Sequence, residues 1–129
     1  MAQESFWGDL SDLATIRAPV AVLREQANIL SGATNNVLRG AVSSQMIDLR
    51  RRVEHELEIV APALNDYRYT VLTVSHDPVS LYPLRLRGTI DDETIECHTE
   101  EALLAHLKRI LSSSSVRRVI ETLLAQSKE

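Results

Sequence analysis

The stretch VEHELEI at residues 53–59 decides the fold, because apolar and charged side chains alternate along it. Val53, Leu57 and Ile59 lie on one side of this segment, and three glutamates lie on the other. This period of two is typical of a β-strand with one face against a core and one face in water. His55 shares the mostly apolar side, which indicates a structural role for its ring.

The next segment repeats the alternation and predicts a hairpin. The turn APALND at residues 61–66 contains a proline and an Asn-Asp pair, which are turn-forming residues. The strand YRYTVLTV follows at residues 67–74 and should pair with the first strand in antiparallel fashion. Strict alternation places on one side Tyr67, Tyr69, Val71 and Thr73, and on the other side Arg68, Thr70, Leu72 and Val74.

Further segments extend the predicted sheet beyond the hairpin. Upstream, the stretch from Val37 to Leu49 is rich in apolar residues, which favours a strand. Downstream, residues 81–86 predict a strand in which Pro83 indicates an edge position or a bulge, since proline cannot donate to a ladder. Residues 94–97 form a last short extended piece. Together these segments predict an antiparallel meander of four to five strands.

Helical patterns flank the sheet. Residues 5–16 predict a short helix, and Pro19 begins a second segment whose apolar residues recur every three or four positions. Thr99 is a typical N-cap, the serines at 112–115 interrupt the apolar pattern, and residues 116–126 carry the clearest helical stripe. The expected architecture is α+β: an N-terminal helix or helix pair, the meander, and two C-terminal helices packed on one face of the sheet.

Length and composition are those of one ordinary globular domain. The chain has 129 residues, 44% hydrophobic and 25% charged, so we expect residues 1–129 to fold as a single α+β domain. The net charge of -4 gives no general attraction to nucleic acid or to an anionic membrane. The longest apolar run, residues 59–64, is far shorter than the roughly 20 residues of a membrane span. One cysteine, Cys97, and an acidic N-terminus without a secretory signal favour the cytoplasm.

The sequence contains no motif of known chemistry. It lacks closely spaced histidine or cysteine pairs for a metal, and its four glycines are too scattered for a phosphate-binding or dinucleotide-binding loop. We therefore expect no metal, no cofactor and no catalytic residue, and we interpret the histidines and the cysteine as structural. The alternative is a small enzyme whose site is assembled in space from His76, Asp77, Cys97 and His98.

A charged sheet face and a group of tyrosines are the candidate interaction surfaces. The three glutamates of residues 53–59 and the arginines near them predict a solvated face with paired charges. The predicted partner-binding residues are the tyrosines and their flanking arginines, namely Tyr67, Arg68, Tyr69, Tyr82, Arg85 and Arg87. The expected function is a non-catalytic protein-interaction module, such as a small bacterial accessory or immunity-type protein. It would bind another protein, or itself as a homodimer through a sheet edge or the polar face.

Overall fold

The computed structural model describes residues 5–13, 16–47 and 51–128. Within these ranges five antiparallel strands form one sheet in the order β1-β2-β3-β4-β5, so that each strand pairs with its neighbour in sequence. The strands are β1 (Arg39–Ile47), β2 (Arg52–Ala61), β3 (Tyr67–Asp77), β4 (Ser80–Gly88) and β5 (Thr94–Cys97). The helices are α1 (Pro19–Ala33), α2 (Glu100–Leu111) and α3 (Ser114–Ser127). The predicted α+β architecture is confirmed.

A bulge in β3 changes which residues of the central hairpin face the core. Leu57 of β2 pairs with Leu72, but the residue after Leu57 pairs with Thr70. Val71 is therefore an extra residue on β3. The strict alternation predicted for this strand is wrong beyond that point, because one inserted residue reverses the side of every residue after it. Leu72 consequently lies on the same face as Tyr69 and is fully buried.

The strand β4 is an interior strand, lying between β3 and β5. The edge position predicted from Pro83 is therefore wrong, whereas the predicted irregularity is confirmed. The register between β3 and β4 shifts between Ser75 and Asp77, opposite the part of β4 that contains Pro83. Pairing with β5 begins only at Leu84, one residue later. Proline is tolerated here because no regular ladder bond is required of it.

The helices that flank the sheet begin close to their predicted positions. α1 starts at Pro19, as expected of a proline in a first turn. The hydroxyl of Thr99 accepts a hydrogen bond from the backbone N–H of Ala102 at 3.1 Å, which confirms the predicted N-cap of α2. The serine interruption is shorter than predicted, because Ser113 caps α3 and Ser114 already belongs to that helix.

The N-terminal segment differs from the helix that residues 5–16 predict. Its described part contains a short 3-10 turn, Leu10–Asp12, and residues 14 and 15 lie outside the described ranges. A helix of this length is marginal in water unless it packs against another element. The apolar side chains Phe6 and Trp7 are almost fully exposed, so in the described structure no such packing occurs.

All three long helices share their core with one face of the sheet. Leu23 of α1, Leu103 of α2 and Leu123 of α3 belong to one buried cluster with the strand residues Leu57 and Leu86. The other face carries polar side chains, among them Thr73, Ser75, Arg85, Arg87, Thr94 and Glu96. The helices therefore cover one face, as predicted. None of the helices in the described ranges is both long enough and apolar enough to cross a membrane.

Candidate functional site

An apolar groove of about 640 Å³ lies between α1 and α3, with the sheet as its floor. We call it the α1–α3 groove. Its apolar lining comes from all three parts of the fold: Ala27, Ile29, Leu30 and Ala33 of α1; Leu57, Ile59 and Val71 of the sheet; and Leu111, Val116, Ile120 and Leu124 of the C-terminal helices. Two of its charged lining residues, Arg117 and Glu121, are exposed, which places them at its mouth, whereas the third, Glu58 of β2, is buried. A volume of this size with apolar walls and few polar groups is typical of a binding site.

The groove exists because α1 and α3 contact different parts of the fold. The backbone of α1 rests directly on β1, since a Cβ atom added at Gly40 would lie 2.3 Å from the carbonyl oxygen of Ala27. In contrast, α3 packs on α2 and on the short 3-10 turn Pro62–Leu64 that follows β2. The two helices therefore stand apart, and a cavity remains between them above the buried sheet residues Leu57, Ile59 and Val71.

A second depression, of about 600 Å³, lies on the other side of α3. Two of the predicted partner-binding residues, Tyr67 and Tyr69, line it together with Val119 and Leu123 of α3. Partial burial, with a smaller contribution from Tyr67, raises the pKa of the Tyr69 hydroxyl. These two tyrosines therefore lie on the helix-covered face of the sheet and flank α3.

The predicted arginines lie on the opposite, open face. Arg68 forms an ion pair with Glu58 at 3.6 Å across β2 and β3, as the charge pattern predicts. Arg87 pairs with an aspartate in the β4–β5 turn, and Arg85 lies on the same face two residues away. Since alternate residues of a strand point to opposite faces, the structure does not bring the arginines and the tyrosines into one patch.

Tyr82 lies at the start of β4, at the end of the sheet opposite to Tyr67. Its hydroxyl is buried, and none of the described residues offers it a hydrogen bond. Burial and the negative charge of Glu100 are the main reasons that its pKa is raised. The structure therefore separates Tyr82 from the other two tyrosines.

The four residues of the alternative enzyme site are not gathered into one cluster. Asp77 caps a backbone N–H of the β3–β4 turn at 2.9 Å, and the Nε2 atom of His98 lies 3.7 Å from a carboxylate oxygen of Glu96. Cys97 is buried, and burial raises the pKa of its thiol, which disfavours the nucleophilic thiolate. Within the described ranges no hydrogen bond or ion pair joins two of these four side chains, and no group of three or more His, Cys, Asp or Glu side chains is placed to hold a metal.

His76 instead belongs to a hydrogen-bonded chain that crosses three strands. Its Nε2 atom lies 3.2 Å from Nε2 of His55, and both rings are buried. Ser44 of β1 places its Oγ atom 2.6 Å from Nδ1 of His55. At the other end, Nδ1 of His76 lies 2.9 Å from the backbone carbonyl oxygen of Asp77. In this order, Nδ1 of His55 is placed to accept the proton of the Ser44 hydroxyl.

Sequence reasoning missed this chain because its members are distant in the sequence. His55 and His76 are 21 residues apart, and they become diagonal neighbours only through the register of β2 and β3, in which His55 pairs with Val74 and His76 with Val53. The available signal was a histidine on the apolar side of one hairpin strand and another at the end of the next, since diagonal residues on one face of a sheet lie within side-chain reach.

The N-terminal segment presents an apolar surface of its own. Phe6 is 88% exposed and Trp7 is 82% exposed, and Leu10 and Leu13 are also exposed. Phe6, Leu10 and Leu13 follow the spacing i, i+4 and i+7 of a helical stripe. Neighbouring exposed apolar side chains are typical of a segment that contacts another surface.

Comparison of the chain with models of known protein families, with curated proteins and with solved structures finds no match.

Proposed function

We propose that this chain is a protein-binding module whose α1–α3 groove holds an amphipathic helix. The observation that carries the proposal is the groove itself, an apolar cavity of about 640 Å³ between two helices that the fold leaves apart. Recognition of an amphipathic helix in an apolar groove is a recurrent way of binding a protein segment. In this proposal the domain acts in the cytoplasm, because its lone thiol needs no oxidising compartment.

The dimensions of the groove suit a helix of about two turns. Its lining residues extend from Gln26 of α1 to the C-cap residue Thr34, and on α3 from Val116 to Leu124. At about 1.5 Å per residue, each wall is about 12 Å long. Three anchor side chains at i, i+4 and i+7 span about 10 Å of helix, so one such stripe fills the groove.

The occupant that we propose is the N-terminal segment of a second copy of the chain. Phe6, Leu10 and Leu13 have the required anchor spacing, and their exposure leaves them without packing partners in the core. Neither they nor Trp7 is among the residues that line the groove of their own chain. Docking in a partner's groove would provide the packing that a short helix needs, and two such exchanges would give a symmetric homodimer.

Light scattering and fluorescence of the full chain test this proposal. Trp7 is the single tryptophan, so its emission reports on the N-terminal segment alone. At micromolar concentration we expect twice the monomer mass of 14.4 kDa and a blue-shifted emission. The variant Ile120→Lys, which places a charge in the groove, should return the mass to that of the monomer and shift the emission to the red.

A matched control and two further outcomes complete the test. Ala125 is exposed on the same helix and does not line the groove, so Ala125→Lys should leave the dimer intact. A monomer mass with a buried Trp7 would contradict exchange between copies and would indicate that the N-terminal segment docks in the groove of its own chain. A monomer mass with solvent-exposed Trp7 would contradict self-association, and the groove would then be open to a helix from another protein.

A further inference from the structure

The hydrogen-bonded chain from Ser44 to Asp77 has a single direction when both imidazole rings are neutral. The carbonyl oxygen of Asp77 can only accept, so Nδ1 of His76 donates to it at 2.9 Å, and Nε2 of His76 is left as an acceptor. His55 therefore donates from Nε2 across 3.2 Å. Its remaining nitrogen, Nδ1, accepts the hydrogen bond of the Ser44 hydroxyl at 2.6 Å. A lone pair of His55 is thus aimed at the proton of Ser44.

The two histidines of the hydrogen-bonded chain are buried, whereas the serine at its end is an exposed residue. His55 and His76 are each 5% exposed, whereas Ser44 is an exposed residue of β1. Burial is the main cause that lowers the pKa of His55, and electrostatic interactions with His76 and Arg24 lower it further. His55 is therefore neutral near pH 7 and available as a proton acceptor.

The position of Ser44 in the sheet gives a substrate access to it. Within the described strands β1 is at the edge of the sheet, so one side of its backbone has no neighbouring strand. An extended acyl compound with amide groups can hydrogen-bond to that edge beside Ser44. Arg24 of α1 is the charged side chain that acts on His55 from the helix layer, and His76 acts on it from β3.

The geometry points to Ser44 as a nucleophile that takes an acyl group from an ester, with His55 as general base and His76 as a positioning residue. A serine, a base and a group that orients the base within hydrogen-bond distance are the parts that acyl transfer requires. This inference is independent of the α1–α3 groove, because none of the three residues lines it.

The proposed reaction transfers an acyl group in two balanced steps. Oγ of Ser44 attacks the ester carbonyl carbon while its proton moves to Nδ1 of His55. The carbon–oxygen bond to the alcohol breaks, and the alcohol leaves with the proton from His55. Water then attacks the acyl-serine with His55 again as base, which releases the carboxylic acid and restores Ser44. Throughout, Nε2–H of His55 keeps its proton and donates a hydrogen bond to Nε2 of His76, which holds the His55 ring in place.

Covalent labelling of the full chain tests this inference. An alkyl fluorophosphonate should add one phosphonyl group, with loss of fluoride, and peptide mapping by mass spectrometry should locate it on Ser44. With 4-nitrophenyl acetate we expect release of nitrophenolate and a transient acetyl adduct on the same residue. Ser44→Ala should abolish both adducts at this position and slow nitrophenolate release about 100-fold, because His55 then has no hydroxyl to activate. Its neighbour Ser43 faces the other side of the sheet, so Ser43→Ala should react as the parent does.

The variant His76→Asn distinguishes a positioning role from simple support of the fold. We expect the labelling rate to fall and its pH midpoint to move, because the acceptor of the Nε2–H of His55 is lost, while circular dichroism stays that of the parent. Labelling of Ser44→Ala at the parent rate, or an adduct confined to other residues, would overturn the inference. The groove variant Ile120→Lys should label normally, so that a failure of this inference and a failure of the proposed dimer give different results.

Discussion

The helices α1 and α3 lie on the same face of the sheet, yet they are packed in different ways. α1 approaches β1 so closely that only glycine fits at position 40, and it buries Val22 and Leu23 almost completely. α3 buries Val116 and Leu123, but Ile120 stays half-buried and lines the α1–α3 groove. The apolar stripes of the two helices therefore have different roles. On α1 the stripe mainly fills the core, whereas on α3 a part of it lines the groove in which we propose that a partner binds.

The largest change in the free energy of unfolding is expected when one apolar side chain of each helix is truncated. Leu23→Ala on α1 should lower the free energy of unfolding by about 2–5 kcal/mol, because a fully buried leucine leaves a cavity. Ile120→Ala on α3 should cost only about 1 kcal/mol, since its side chain already borders open space. Urea unfolding at a common pH measures both values. Equal losses would contradict the division of roles between the two helices.

Glycine substitutions test the close contact of α1 with β1. Gly40→Ala should destabilise the fold by about 1–3 kcal/mol, because the new methyl group would overlap the backbone of Ala27. Gly32→Ala is the matched control within α1, where a Cβ atom has nothing within 4 Å. That change should stabilise the helix by about 0.5–1 kcal/mol. Thermal unfolding of the two variants should therefore shift in opposite directions, and a loss of stability in Gly32→Ala would contradict the packing described.

A decrease in pH should have a smaller effect on the free energy of unfolding, through His55 of the buried histidine pair. Because burial lowers the pKa of folded His55, the unfolded chain takes up its proton near pH 6.5, at a higher pH than the folded chain does. The free energy of unfolding should therefore fall as the pH drops below about 6.5 and should be independent of this group above it. Urea unfolding at pH 5.5 and pH 7.5 measures the difference. His55→Gln should reduce the difference, because it removes the group whose pKa burial lowers.

The smallest effect is expected at Tyr82, whose buried hydroxyl has no hydrogen-bond partner among the described residues. Tyr82→Phe removes this polar group and should raise the free energy of unfolding by up to about 1 kcal/mol. Tyr69→Phe, at a half-buried tyrosine beside α3, is the control and should change stability less. A clear destabilisation of Tyr82→Phe in urea would indicate that its hydroxyl has a partner, such as an ordered water.

Several elements could be predicted because local chemistry determines them. The alternation of residues 53–59 predicted a strand, and Thr99 and Pro19 marked two helix starts. The predicted water-facing side of that strand is wrong at Glu58, which is buried. The bulge at Val71 could not be predicted, because a single extra residue costs little locally and is determined by what packs above the strand. Pro83 allowed two interpretations, and only the pairing of β4 on both sides decided between them.

The sequence by itself determined the class of the fold, the central hairpin and the starts of α1 and α2, because these depend on side-chain period and on capping groups that act within a few residues. Tertiary structure alone decided the distance between α1 and α3, and with it the groove, since that distance results from the contacts of each helix with the sheet. It likewise joined Ser44, His55 and His76, which meet only because the registers of three strands place them side by side. Hydrogen bonds act over about 3 Å, and no sequence period specifies which distant strands will come that close.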